Sequence, residues 1–400
     1  MKAYIERSKV VHPYINAATD ERYEDALKDA KNIDKFLASN VKSEEDIARD
    51  TPLLGVPFTC KEVIGVKGMK QNSGLVRHKD RVAEEDGAAP ALYRKGGSHP
   101  SHGHGCPGIV TTGGSSGGEG AIIAAGGALF GIGNDIAGSI RIPSCFCGIY
   151  GHKPSKGIVP NWGSFPFCHI RYEHEDRTVE FVSTGPMCRY ARDLPLLLRI
   201  LSDNDPRIHL DEKVNFRNLK IYYIEEFPGT LLSAVPDVKK AIRKAAEHFE
   251  AEYGIKTTPS ITGIEVRFQH LGIQTFGIRR TTILILLERR RQELELEFKN
   301  LEQKIKEIFE EDAIILVPTH PEPAPHYLMT IPMYPNIAYT CIFNILGLPS
   351  SQIPAGLSNG VPIGIQAVSG PFKDHISVAT ALELDKVFNG WISPFPINVQ

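Results

Sequence analysis

The chain has 400 residues, 45 basic against 47 acidic side chains and a formal net charge of −2. With 42% hydrophobic and 23% charged residues, it is an ordinary globular sequence, which excludes a disordered or collagen-like chain and permits one large core without disulfides. Near-neutral charge lacks the basic footprint of a dedicated nucleic-acid binder, and seven cysteines without a C-x2-C pair read as free thiols of a reducing compartment, so a cytoplasmic location is expected.

The start, MKAYIERSKVVHPYINA, is mixed and charged, so neither a signal peptide nor an N-terminal membrane anchor is expected. No run approaches the roughly 18–20 apolar residues of a membrane span. Thr19 to Ser39 reads as an amphipathic helix, with Tyr23, Ala26, Leu27, Ala30, Ile33 and Leu37 at helical spacing and Thr19 or Asp20 as cap. Leu53 to Thr59 reads as a short buried strand, weakened by Pro57. A helix is expected within Ala83 to Lys95, starting near Pro90 and ended by Gly96-Gly97. Ser98 to Gly114 is then a polar loop, its prolines and glycines predicting irregular backbone.

Beyond Ser115 the small residues lead into Ala121 to Ala125, a helix apolar nearly all round and therefore buried. Leu129 to Gly133 reads as a strand entering the loop Asn134 to Ser139. Pro143 suits the first turn of the next helix, ended by Gly151 and Pro154. Gly277 to Asp312 reads as a long charged helix, a structural strut with Leu294, Phe298, Leu301, Ile305 and Ile308 on its apolar side. Ala313 to Pro318 is a strand, and Gly347 to Gln366 a hairpin turning at Asn359-Gly360. Alternating helices and apolar strands make the fold α/β, with a central mixed sheet flanked by helices on both faces.

The chemistry concentrates in Gly113 to Arg141. Glycine this dense costs chain entropy, so it points to close approach of main-chain N–H groups to something small and electron-rich. A phosphate loop would need a lysine after the glycines, and a dinucleotide fingerprint fits the spacing poorly. An oxyanion fits better: Asp135 to Ser139 puts a serine at the end of a tight turn whose N–H groups can converge on one oxygen. Such a serine needs a base. Lys61, following the apolar strand, is a candidate if desolvation lowers its proton affinity, although a lone lysine is more often a surface residue. His99, His102, His104 and Cys106 have zinc-ligand chemistry. Four ligands within eight residues make a strained site, so a solvated loop and no metal are expected. Cys145 and Cys147 read as core packing.

Three segments together resemble the amidase signature family of serine hydrolases: Gly113-Gly114-Ser115-Ser116-Gly117-Gly118, Gly133 through Pro143 (GNDIAGSIRIP), and Gly148 to Pro154. LLGVPFTCKE is similar to the family's lysine strand, and Ser139 follows Ser115 at the family spacing of 24 positions. KAYIERSKVVHPYINA, TGPMCRYARDL and GPFKDH extend the likeness toward the fatty-acid amide hydrolase group. The resemblance covers nearly the whole chain and implies one amidase domain, 1–400. It implies a Ser-Ser-Lys triad of Lys61, Ser115 and Ser139, with an oxyanion hole of Ile136, Ala137, Gly138 and Ser139. Ser116, Asp135 and Arg141 are its supporting positions. It implies no cofactor and no metal, and a small amide or ester substrate of lipid-like character; peripheral membrane contact and a homodimer are compatible with it. Ala137 stands where the family has glycine. The chain looks shortened near 98–112 and 206–275, which predicts one sheet element fewer and a site more open to water. The alternatives are an inactive relative kept as a binding protein or truncated product, and the glutaminase subunit of a tRNA-dependent amidotransferase.

Overall fold

The computed structural model describes residues 1–104, 112–166, 181–227, 233–259, 287–326 and 334–394. Eleven strands among these residues form one sheet: β1 (Ala18–Glu21), β2 (Pro57–Lys61), β3 (His99–His104), β4 (Phe130–Asp135), β5 (Tyr150–Lys153), β6 (Ser183–Cys188), β7 (Lys220–Tyr223), β8 (Thr258–Pro259), β9 (Ala313–Pro318), β10 (Ser350–Ser358) and β11 (Val361–Ser369). Their spatial order is β1-β3-β2-β4-β6-β5-β10-β11-β9-β7-β8. β3, β2 and β4 run parallel, as do β9, β7 and β8, while β4, β6, β5, β10, β11 and β9 are joined by antiparallel ladders. The sheet is therefore mixed, as the sequence implies.

Helices cover the sheet and bury its apolar side chains. In Leu194–Leu201 the buried residues are Leu194, Leu197, Leu198 and Leu201, the one-stripe spacing of an amphipathic helix. Pro236–Tyr253 buries Val238, Ala241, Ile242, Ala245, Ala246 and Phe249 in the same way, against a core that includes Ile314, Leu316, Ile353 and Ile365. Gly117–Ala124 is buried on every side, which its sequence requires. Burying a leucine, isoleucine or phenylalanine side chain contributes about 1.5–3 kcal/mol, so these stripes carry much of the stability.

The hairpin β10–β11 turns at Asn359 (φ 51°) and Gly360 (φ 80°), the left-handed pair that two-residue hairpins favour. The charged helix is found over Leu287–Ile308, with Leu301 and Ile305 buried and Phe298 and Ile308 packed beside Ile315 and Val317. Its expected beginning at 277–286, and the side chain of Leu294, lie outside the described residues.

Four boundaries differ from the sequence reading. Thr19 and Asp20 are not caps: they lie in β1, which pairs with β3, and the helix begins at Tyr23. β2 starts at Pro57, where a missing N–H is tolerated at a strand's first residue, and runs on to Lys61. Gly148–Pro154 does not continue a helix, which stops at Phe146; Tyr150–Lys153 is β5, inserted between β6 and β10. The expected irregular loop after Ser98 instead opens with β3, a strand paired on both sides. Pro100 is accommodated by a shift of register: Phe58 faces Pro100 but Thr59 faces His102, leaving Ser101 as the extra residue. The Ser101 carbonyl accepts from Arg22 N–H at 3.2 Å. Pairing from two neighbours overrides the poor strand propensity of HPSHGH.

Candidate active site

Parallel strands in an open α/β sheet leave their carboxyl ends as the natural place for a site. β2 and β4 are such neighbours, paired through Thr59–Gly131 and Cys60–Ile132. One ends at Lys61, the other at Asp135. Lys61 is only 4% exposed. A buried lysine must find partners, and its Nζ donates to Ser115 Oγ at 2.5 Å and to Asn134 Oδ1 at 2.6 Å. The base and the first serine expected from the sequence are thus in contact.

Ser115 lies on the turn that enters the buried helix Gly117–Ala124; the Gly114–Ser115 peptide is cis and Ser115 is exposed. Ser116 is buried, its N–H donating to the Ser139 carbonyl at 3.1 Å and its Oγ to the Asn134 carbonyl at 3.4 Å. These bonds fasten the two serine turns to each other. Ser139 is half-buried on the second turn. Its hydroxyl and that of Ser115 are not hydrogen-bonded to each other, so the Lys61–Ser115 link is formed and the Ser115–Ser139 link is open in this structure.

The second turn is held by Asp135, fully buried. Oδ1 accepts from Gly138 N–H at 2.7 Å, and Oδ2 from Ile140 N–H at 3.0 Å. Arg141, also fully buried, donates through Nε to Oδ2 at 3.1 Å and through Nη2 to Oδ1 at 3.0 Å. Burial would push the Asp135 carboxyl up; the Arg141 charge and hydrogen bonds overcome this and hold it well below the usual carboxylate range. Arg141 reaches on to Gln366 Oε1 at 3.0 Å and Asn344 Oδ1 at 2.5 Å, while Asn344 Nδ2 donates to the Asp135 carbonyl at 2.9 Å. These hydrogen bonds fix the loop and satisfy the buried pair, which is what makes a buried ion pair tolerable.

The four N–H groups expected to hold an oxyanion differ in this structure: Gly138 N–H donates to Asp135 Oδ1, whereas Ile136, Ala137 and Ser139 N–H have no intramolecular acceptor among the described residues. Ala137 does not adopt a positive φ, so its methyl group is compatible with the turn. Gly138 does, at φ +123°, and a Cβ there would stand 2.3 Å from Thr340 Oγ1 and 2.7 Å from Ile142 Cδ1. Gly138→Ala is expected to destabilise the fold by about 1–3 kcal/mol from backbone strain and overpacking and to lower turnover with it. Thermal unfolding and steady-state rates check this; a variant with wild-type rates would show that the loop's path is not critical.

Sequence reasoning missed the residues behind the loop. Thr340 Oγ1 donates to the Ala137 carbonyl at 2.6 Å. Thr340 and Asn344 are the signal that was available: two polar residues four apart in AYTCIFNI, a helix otherwise apolar and buried from Ala338 to Asn344. Glu119 was missed too. It is fully buried beneath β2, hydrogen-bonded by Thr59 Oγ1, and burial pushes its carboxyl well above the ordinary range.

The histidine-rich stretch contributes backbone to β3. His99 Nδ1 lies 3.4 Å from Asp29 Oδ2, and burial lowers its pKa more than Asp29 raises it. The side chains of His102 and His104, and Cys106 altogether, lie outside the described residues. Among the described residues no group of three His, Cys, Asp or Glu side chains converges on a metal position. Cys145 and Cys147 are free thiols, and burial pushes the Cys147 thiol up to about 12. No helix among the described residues is long and apolar enough to cross a membrane.

Comparison with known proteins identifies the family. The Amidase family model matches residues 1–101, 109–260 and 279–377. Fatty-acid amide hydrolase 2 of Homo sapiens is 34% identical over 465 aligned positions, covering 98% of this chain and 86% of that protein. Fatty-acid amide hydrolase 2-A of Danio rerio is also 34% identical, with the same coverage. In structure, a fatty acid amide hydrolase superposes with a TM-score of 0.77 at 19% identity, covering 98% of this chain and 82% of that one. A 6-aminohexanoate cyclic dimer hydrolase superposes with a TM-score of 0.74 at 20% identity, covering 97% and 92%. The chain belongs to the amidase family and is an amide-hydrolysing enzyme similar to fatty-acid amide hydrolase 2.

Proposed function

We propose that the protein is a serine hydrolase that cleaves carboxylic amides carrying fatty acyl chains, through a Lys61–Ser115–Ser139 relay and an acyl-enzyme. The observation that carries this reading is the buried Lys61 Nζ donating to Ser115 Oγ at 2.5 Å, on a turn bonded to that of Ser139. Ser139 Oγ attacks the substrate carbonyl as its proton passes through Ser115 to the Lys61 amine. The N–H groups of Ile136, Ala137 and Ser139, which have no acceptor among the described residues, hold the oxyanion, worth about 3–4 kcal/mol per donor in such sites. The proton then returns through Ser115 to the leaving amine, and water hydrolyses the acyl-enzyme by the same route. No metal or cofactor enters these steps. The fatty acyl preference is supported by the 34% identity with fatty-acid amide hydrolase 2.

We also infer a single amidase domain shortened near 98–112 and 206–275. The alignment with the human relative occupies 465 positions although this chain has 400 residues. Exposure of Ser115 supports the accompanying reading of a site open to water.

Lys61→Ala is expected to lower kcat/KM for a long-chain primary amide by about 10²–10⁴-fold, the usual contribution of general acid–base catalysis. Chelators are expected to leave the wild type unaffected, and rates are expected to fall as the acyl chain of the amide is shortened. Wild-type rates in Lys61→Ala would reject the relay; equal rates for acetamide and a long-chain amide would reject the fatty acyl preference.

A further inference from the structure

We propose that Asn134 is a positioning residue that aims the Lys61 amine at Ser115, by serving as an uncharged acceptor for one of its N–H groups. The proposal rests on the reading of Lys61 as the base.

Asn134 lies two residues upstream of Ile136, at the end of β4, and is buried to 7% exposure. Its backbone is fixed from two directions. It pairs with Thr184 across the β4–β6 ladder, and its carbonyl accepts from Ser116 Oγ. The side chain therefore presents Oδ1 to Lys61 Nζ, at 2.6 Å, from a rigid strand. An amide oxygen can only accept. A lysine has an N–H to give it in either protonation state. Holding that N–H on Asn134 turns another tetrahedral position of the nitrogen toward Ser115 Oγ, at 2.5 Å. In the ammonium that position carries a proton; in the neutral amine it carries the lone pair. One geometry then serves both states, so the amine need not reorient when the proton crosses from Ser115.

The residue type matters. A serine or threonine hydroxyl can rotate and donate into the lone pair, which would occupy the base. A carboxylate would pair with the ammonium and hold its proton. A leucine would leave a buried N–H without its acceptor. Among the described residues, the charged groups near Lys61 have other partners or are neutralised by burial. Glu119, packed beneath β2, is pushed by burial toward its neutral form and is hydrogen-bonded by Thr59. Glu62, next along the chain, is raised by burial and accepts from Asn72 and Ser73 N–H. Cys60 is raised by burial and stays a thiol. Asp135 is committed to Arg141.

The test is the pH dependence of kcat/KM for a long-chain amide from pH 5 to 10, in the full chain, for wild type, Asn134→Asp, Asn134→Leu and Lys61→Ala. Asn134→Asp is expected to move the acid limb upward by about 1–3 pH units, the shift a contacting opposite charge produces. At neutral pH its rate should fall about tenfold or more, and near pH 10 it should recover to within about tenfold of wild type. Asn134→Leu is expected to lower kcat about tenfold or more at every pH, with KM little changed, as for loss of an interaction used in the chemical step. An Asn134→Asp profile that superimposes on wild type, or that falls equally at all pH values, overturns the proposal. Should Asn134→Asp fail to fold, wild-type kcat in Asn134→Leu overturns it instead. Lys61→Ala separates the two readings. Its inactivity beside a wild-type Asn134→Asp profile rejects only the role of Asn134, whereas full activity of Lys61→Ala rejects the relay itself.

Discussion

Ser139→Ala is expected to remove amide hydrolysis, with kcat falling by about 10⁶-fold, because a nucleophile and its relay act as a unit. The loss should be far larger than for Ser116→Ala, since Ser116 Oγ is buried and bonded to the Asn134 carbonyl rather than free to attack. The substitution is mild for the fold: Ser139 is half-buried and alanine keeps its backbone bond to Ser116. Rates with a long-chain primary amide, at enzyme concentrations high enough to detect a residual activity, read the effect. A variant retaining even a tenth of wild-type kcat would assign the attack to another group.

The second large effect is on stability. Arg141→Met keeps an unbranched apolar stem but removes the guanidinium, with its charge and all its donors. Asp135 is then buried without its cation, and Asn344 and Gln366 each lose a partner. Breaking a buried pair from one side costs about 3–5 kcal/mol. The pH dependence has a defined sign. In the wild type the Asp135 pKa is depressed, so its contribution is complete at neutral pH and declines only as acid protonates the unfolded-state carboxyl below about pH 3.9. Without Arg141, burial is opposed only by the Lys153 charge and the backbone N–H bonds, so the folded-state pKa is expected to rise. The deficit of the variant should therefore grow as pH rises above about 4, and a charge-removing second change, Asp135→Asn, should recover part of it. Urea unfolding at pH 5 and pH 8 measures both. A loss below about 1 kcal/mol at pH 8 would mean that the pair is not what holds the loop.

Much of the candidate site was legible because its residues fall in two short, chemically unusual stretches. The glycine density from Gly113 to Gly138 and the lysine after an apolar strand mark short turns and a desolvated amine, which local pattern reports well. What local pattern does not report is partner identity across the sheet. Gly138 was expected to donate to an oxyanion, and only the folded turn shows that its N–H donates to the Asp135 carboxylate. Thr340, Asn344 and Gln366 act from more than 200 positions downstream of Asp135. HPSHGH became a strand because β1 and β2 both pair with it, a long-range decision that its proline and glycine contradict. The helix at Tyr23–Ala38, the described part of the charged helix and the β10–β11 hairpin were found because period and turn residues are local properties, whereas Lys2–Ile15, Pro236–Tyr253 and Asp374–Phe388 were not read as helices.

The most direct test of the relay is where a serine-directed fluorophosphonate attaches. The wild-type chain, labelled to completion, digested and mapped by mass spectrometry, should carry one adduct, on Ser139. Lys61→Ala and Ser115→Ala should label at the same residue but far more slowly. An adduct on Ser115 or Ser116, or labelling of Ser139 at an unchanged rate without Lys61, would contradict the account.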